Sequence, residues 1–285
     1  DDLKVDDAIF KSQGELYRRI RNTFRFLIGN LNNFNKDEIV DEENFPELEK
    51  YMLHRLWEVD QVIKKCLDEF NFHLMFTTLL NFCSNDLSAF YFDIRKDAIY
   101  CDNKNSLNRR SSRTLLDIIF NYLVRWLAPS LPFTSEEAWK ARGNKNSIHL
   151  KDFLSAKDNY CNNHLNEKWN KLKQVRKVIT GALEKKRTEK IIGSSLEAHI
   201  DIYLEEDKFQ LLKDINFKEI SITSSANINS SVNNEKGFIL EEIKGVLIKV
   251  SKVNGNKCKR CWKYQKKLIN DEICIRCDEA IDLNK

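Results

Sequence analysis

Ser12–Leu31, SQGELYRRIRNTFRFLIGNL, carries Leu16, Ile20, Phe24, Leu27 and Leu31 at steps of four and three. That is the period of an α-helix with one apolar stripe. Arg18, Arg21, Asn22 and Arg25 fall at i, i+3, i+4 and i+7 and form a second, polar stripe. This stripe has two readings: a solvated helix face, or a row of guanidinium forks aimed at phosphates.

The same period recurs on the C-terminal side. After a linker, NNFNKDEIVDEENFP (32–46), a helix is expected at about 47–70, where Leu48, Met52, Leu56, Val59, Ile63, Leu67 and Phe70 keep register. A Phe- and Leu-rich helix is expected at about 71–92 and another at about 109–128, ending where Pro129 cannot continue it. Thr134–Glu137, TSEE, fits a capping box opening a short helix toward Trp139. Only 3 prolines and 8 glycines occur in 285 residues, so turns are few and long helices are favoured. Four long helices on short links point to an antiparallel bundle.

Residues 167–190 give a further helix, with Trp169, Leu172, Val175, Val178, Ile179, Ala182 and Leu183 inward and a lysine- and arginine-rich outer face. Past Gly193 the period changes to two. EAHIDIYL (197–204), KEISI (218–222) and GVLIKVSKV (245–253) alternate as strands of a small sheet, interrupted by a Ser/Asn-rich loop near 221–236. The expected class is therefore mainly α. A helical domain covers 1–160, a basic helix plus a small β-rich junction covers 161–253, and a cysteine tail covers 254–285.

In that tail Cys258, Cys261, Cys274 and Cys277 form C-x2-C-x12-C-x2-C. Two tight turns each offering two thiolates suit a tetrahedral Zn²⁺ with no open position, a structural site; iron in the same cage, or paired disulfides, are the competing chemistries. Without a secretory signal the disulfide framework is the weaker account. Cys66, Cys83, Cys101 and Cys161 are solitary. Lys257, Lys259, Arg260, Lys263, Lys266 and Lys267 surround the knuckle, with Trp262 and Tyr264 among them. Cations beside aromatics suit looped RNA, through phosphate neutralisation and base stacking. Alternatively, Trp262 packs under the metal and the lysines are merely solvated.

The net charge of +4 is too small to mark a nucleic-acid binder by itself. No run of about 18 uncharged apolar residues exists, so no membrane helix is expected. The start, DDLKVDDAIF, lacks Met and reads like a chain entered midway. The five histidines (54, 73, 149, 164 and 199) sit apart, no phosphate-cradling glycine loop occurs, and no catalytic constellation is readable.

Four segments, RRIRNTFRFLIGNLNNF (18–34), LAPSLPFTSEEAW (127–139), LEKKRTEKIIGSSLEAHIDIY (183–203) and KCKRCWKY…ICIRC (257–277), closely resemble the C-terminal part of bacterial-type isoleucyl-tRNA synthetases, in the same order. The resemblance implies a helical anticodon-binding domain, a junction and a zinc-bearing tail that together grip the anticodon stem-loop of tRNA(Ile). It also implies a cytoplasmic, monomeric parent enzyme that binds neither DNA nor membrane. The catalytic core that uses ATP and Mg²⁺ lies upstream in that family. Its H-I-G-H and K-M-S-K-S signatures are absent here, so this stretch alone is expected to be inactive. By the same resemblance Lys4 matches a basic position that approaches the tRNA, where the family usually has Arg, and Arg260 and Trp262 match residues placed against the anticodon loop. The competing class is a non-enzymatic zinc-ribbon protein that binds nucleic acid or a protein partner.

Overall fold

The computed structural model describes residues 6–230 and 236–282, which divide into two compact units. Residues up to Ile99 together with Asn105–Asn162 make the first. Tyr100–Lys104 together with the chain from Asn163 onward make the second. The tail from 254 thus clusters with the preceding junction, and a five-residue segment from within the helical region joins it.

Unit one is built of α1 (Asp7–Asn30), α2 (Glu47–Asp68), α3 (Phe72–Asn81), α4 (Asp93–Cys101, up to Ile99), α5 (Leu107–Leu127) and α6 (Pro132–Ala141). The third helix expected at 71–92 runs on to Cys101, because Phe82–Phe92 winds as a π-helix between α3 and α4 without a break. Through that wide stretch Phe82, Cys83, Asp86, Leu87, Phe90, Tyr91 and Phe92 are all buried. The α1 stripe faces inward as its spacing requires, with Ile20, Phe24 and Leu27 buried and Phe24 edge-on to Phe120 of α5 at 6.1 Å. Buried aliphatic and aromatic side chains of this size each contribute about 1.5–3 kcal/mol relative to exposure.

The TSEE segment does not open α6. The helix begins at Pro132, whose missing N–H costs nothing at a first helical position, and Ser135 lies buried inside it. Glu136 instead reaches the following loop, where it accepts from the Ile148 amide and the Ser147 hydroxyl, both at 2.9 Å.

A polar network lies inside this apolar core. Arg95 Nε and Nη2 donate to the two carboxylate oxygens of Glu49, each at 2.6 Å, and the Tyr91 hydroxyl donates to the same carboxylate at 2.9 Å. Burial first, then the neighbouring Glu49 charge, raises the Tyr91 phenol well above its ordinary range and keeps it a donor.

Unit two centres on α7 (Asn163–Thr188), packed on a sheet of order β2-β1-β4-β3, where β1 is Ala198–Leu204, β2 Ser225–Asn229, β3 Phe238–Leu240 and β4 Ile243–Lys252. The alternation read from the sequence holds in β1, whose Ala198, Ile200, Ile202 and Leu204 are fully buried. Between β1 and β2 come α8 (Glu206–Leu212) and α9 (Phe217–Ile220). KEISI, expected as a strand, thus supplies most of a helical turn. The Asn216 side chain accepts from the Glu219 amide, and Phe217 and Ile220, three apart, both turn inward. The expected Ser/Asn-rich loop contains β2, which pairs parallel to β1 from His199 opposite Ser225 to Tyr203 opposite Asn229. Parallel pairing between distant segments leaves little local signal: the alternation of β2 rests on Ala226 and Ile228 alone, among Ser and Asn residues of low strand preference. Beyond the sheet lie the hairpin β5 (Asn256–Lys257) and β6 (Tyr264–Gln265), then α10 (Ile275–Asp282). No helix among the described residues is long and apolar enough to cross a membrane.

Candidate metal knuckle and its basic surround

The β5–β6 hairpin and α10 bring the two cysteine pairs together. Gly255 at the hairpin entry has φ +150°, and a Cβ there would lie 2.6 Å from the Gln265 carbonyl, so only glycine allows this close approach. The turn after Cys258 closes with the Trp262 amide donating to the Cys258 carbonyl at 2.9 Å, and Trp262 takes φ +64°. Asn270 and Asp271 both have positive φ in the three-residue turn closed by the Ile269–Ile273 bridge, and Cys274 directly precedes α10.

The four sulfurs of Cys258, Cys261, Cys274 and Cys277 lie within 4.8 Å of one another and all four residues are buried. Cys261 Sγ and Cys274 Sγ are 3.8 Å apart, far beyond a disulfide bond of about 2.05 Å. A tetrahedron with metal–sulfur distances of about 2.3 Å has edges of about 3.8 Å, so the donor set fits a four-thiolate metal ion. The electrostatics agree. Burial works against ionising Cys258, but the amides of Cys261, Cys274 and Arg260 outweigh it and bring the thiol down to about 6. Cys261, Cys274 and Cys277 are held above the usual thiol range by burial and by one another's charge. Ionising all four sulfurs in one small space would need a cation, and all four corners are protein sulfur, which leaves no corner for substrate.

Around the sulfurs, Trp262 is 58% exposed and therefore does not pack under the metal site; Lys257 Nζ sits 5.4 Å over its ring. Tyr264 is half-buried and its amide donates to Ser224 Oγ at 2.7 Å. Lys259 is paired with Glu272, while Lys266 and Lys267 are exposed. The Arg260 fork is occupied: its Nη1 and Nη2 donate to the carbonyls of Cys101 and Tyr100. Cys101, read from the sequence as solitary, is buried in the same cluster as the four paired cysteines. No spacing rule could have found it, because it lies 157 residues ahead of Cys258.

The polar stripe of α1 lies in unit one. The Arg21 fork is bidentate to Glu137 of α6, at 2.8 and 2.9 Å, with Tyr17 Oη at 3.2 Å. Arg18 pairs with Glu15 at 2.6 Å, and Asn22 and Arg25 are exposed. The carboxylates that meet this face come from the preceding turn, Glu15, and from another helix, Glu137. Lys4 lies outside the described residues. On α7, Lys177 pairs with Glu242 at 3.2 Å and Lys186 with Glu189 at 2.7 Å. Lys171 and Lys185 on this helix face solvent, as does Lys190 just past its end.

Residues 49–202 match the family described as "Anticodon-binding domain of tRNA ligase". The chain is 44% identical over 270 residues to the isoleucine–tRNA ligase of Pelagibacter ubique (strain HTCC1062), covering 93% of this chain and 29% of that protein. The isoleucine–tRNA ligases of Bartonella quintana (strain Toulouse) and Agrobacterium fabrum (strain C58 / ATCC 33970) are 41% and 42% identical, over 95% and 92% of this chain and 28% and 27% of theirs. The chain therefore spans under a third of the length of these curated relatives. A helical unit with the expected bundle elements and a family match across more than half the residues lead to one conclusion: this chain belongs to the anticodon-binding domain family of tRNA ligases.

Proposed function

We propose that the chain is the tRNA-binding portion of an isoleucine–tRNA ligase and grips the anticodon stem-loop of tRNA(Ile) for an aminoacylating core that these residues do not contain. The observation that carries this reading is similarity to isoleucine–tRNA ligases along more than nine-tenths of the chain. We propose Zn²⁺ as the ion held by Cys258, Cys261, Cys274 and Cys277, where it would supply structure and no chemistry. Arg18, Arg21, Asn22, Arg25, Trp262 and Lys4 remain proposed RNA-side residues, with Arg260 part of the same surface and Trp262 the strongest because its ring is presented to solvent beside a cation. ATP and Mg²⁺ belong to the proposed core, and the parent enzyme would act in the cytoplasm as a monomer. A free-standing zinc-ribbon protein is the weaker reading, because it gives no reason for the helical unit to match tRNA ligases.

The test is a titration of the protein against cognate and non-cognate anticodon stem-loops at two salt concentrations. Binding should prefer the cognate loop. Trp262→Ala should weaken it by about 1–3 kcal/mol, the worth of one stacked base, while loss of one lysine lowers the salt slope by about one or less. Equal affinity for all stem-loops would refute the proposed specificity. Unchanged binding by a metal-loaded Trp262→Ala would make Trp262 a bystander.

A further inference from the structure

The segment Tyr100–Lys104 is fastened to the knuckle at three points. Arg260 donates from both terminal nitrogens to the Cys101 and Tyr100 carbonyls, the second at 3.2 Å. Arg276, between the second pair of cysteines, donates to Asp102 Oδ1 at 3.1 Å. Cys101 is buried against the four metal-ligating cysteines. Backbone carbonyls held by a planar guanidinium fix the direction of the chain, and therefore where its side chains leave it. The side chain that leaves at this place is Tyr100. Although its carbonyl is anchored, 57% of the residue is exposed, which matches Trp262 at 58%. Lys104 is exposed at the end of the same segment. Large aromatics on rigid backbone beside cations make a stacking platform for unpaired bases.

We propose that Tyr100 is a second base-stacking residue of the RNA-reading surface, and that Arg260 is a positioning residue that acts through it instead of touching RNA. This rests on the anticodon-loop reading above. It also changes the role implied for Arg260 by the family resemblance, since a fork already bound to two carbonyls has little left to offer a base. The ligand class is an unpaired base of the anticodon loop. The metal's contribution extends to a segment more than 150 residues away in sequence, because the knuckle that it closes presents the two arginines.

The experiment compares the metal-loaded protein with Tyr100→Ala, Tyr100→Phe, Arg260→Ala and the Tyr100→Ala/Arg260→Ala double variant, with Trp262→Ala as reference. Affinity for the cognate stem-loop and metal content are measured for each. Tyr100→Ala should lose about tenfold in affinity at unchanged metal content, and Tyr100→Phe should retain it, since the ring and not the hydroxyl stacks. Arg260→Ala should raise hydrogen exchange at 100–104, and the double variant should bind no worse than Tyr100→Ala alone, because removing the positioner matters only while its tyrosine is present. Wild-type affinity for Tyr100→Ala, alongside a weakened Trp262→Ala, would overturn the proposal and leave the anticodon reading intact. Losses that add in the double variant would show that Arg260 meets the RNA itself, and would overturn the positioning role. Failure of the wild-type protein to bind any stem-loop would instead overturn the reading on which the proposal rests.

Discussion

Replacing Arg95 by alanine tests whether the buried Glu49–Arg95 pair holds unit one together. Glu49 is fully buried and Arg95 is 3% exposed, with both carboxylate oxygens met at 2.6 Å. At an effective dielectric of about 20 the gross attraction of charges so close is about 6 kcal/mol, much of it offset by the desolvation of both groups. Removing one partner keeps the desolvation cost of the other, so Arg95→Ala should destabilise by about 3–5 kcal/mol. Tyr91 and Ser112 still donate to Glu49, which favours the lower half of that range. In a unit of this size that is a loss of about 6–20 °C in melting temperature. The paired replacement Glu49→Met/Arg95→Met should cost less than Arg95→Ala alone, because it leaves no uncompensated charge. Urea unfolding with hydrogen exchange read on α2 and α5 would localise the effect. A cost below about 1 kcal/mol for Arg95→Ala, or a double variant less stable than the single one, would refute the argument.

Cys274→Ser should reduce bound zinc from one ion per chain to near zero, and chelation of the wild-type protein should strip exchange protection from the knuckle and from Tyr100–Lys104 while β1 keeps its own. Elemental analysis and exchange mapping check both, and unchanged zinc in the variant would refute the ligand set. Glu136 offers a pH readout. The Ile148 amide and then Lys140 outweigh the opposing effect of burial and, with the weaker Ser147 hydroxyl, hold its carboxyl down to about 2. A depressed carboxyl stabilises above its unfolded value of about 4.3, and that contribution is lost as pH falls toward about 2. The Ile148 amide resonance should therefore titrate near about 2 in the wild type and not at all in Glu136→Gln; a midpoint near 4.3 in the wild type would contradict the assignment.

The apolar stripes of α1, α2, α5 and α7, the alternation in β1 and the cysteine spacing were legible in the sequence because each is a short-range pattern; β4 forms where a strand was expected but buries Val246, Leu247 and Ile248 in succession instead of alternating. Burying one face needs only a repeat of 3.6 or two, and a metal turn needs two thiols three residues apart. From these followed the helical class, the small sheet and the four-thiol site. What the sequence could not carry was pairing between residues far apart. β2 is a strand because β1 lies beside it, not because Ser225–Asn229 favours one. KEISI alternates like a strand yet its first three residues turn as a helix, because Asn216 caps the turn and Phe217, just ahead of KEISI, reaches the core together with Ile220 three residues on. Arg21 reads as a free guanidinium until Glu137 arrives from α6 to fill its fork. Cys101 is an isolated cysteine in one dimension and a neighbour of the metal site in three. In each case the deciding energy comes from a partner supplied by tertiary contact, and nothing in the local pattern of either residue encodes that meeting.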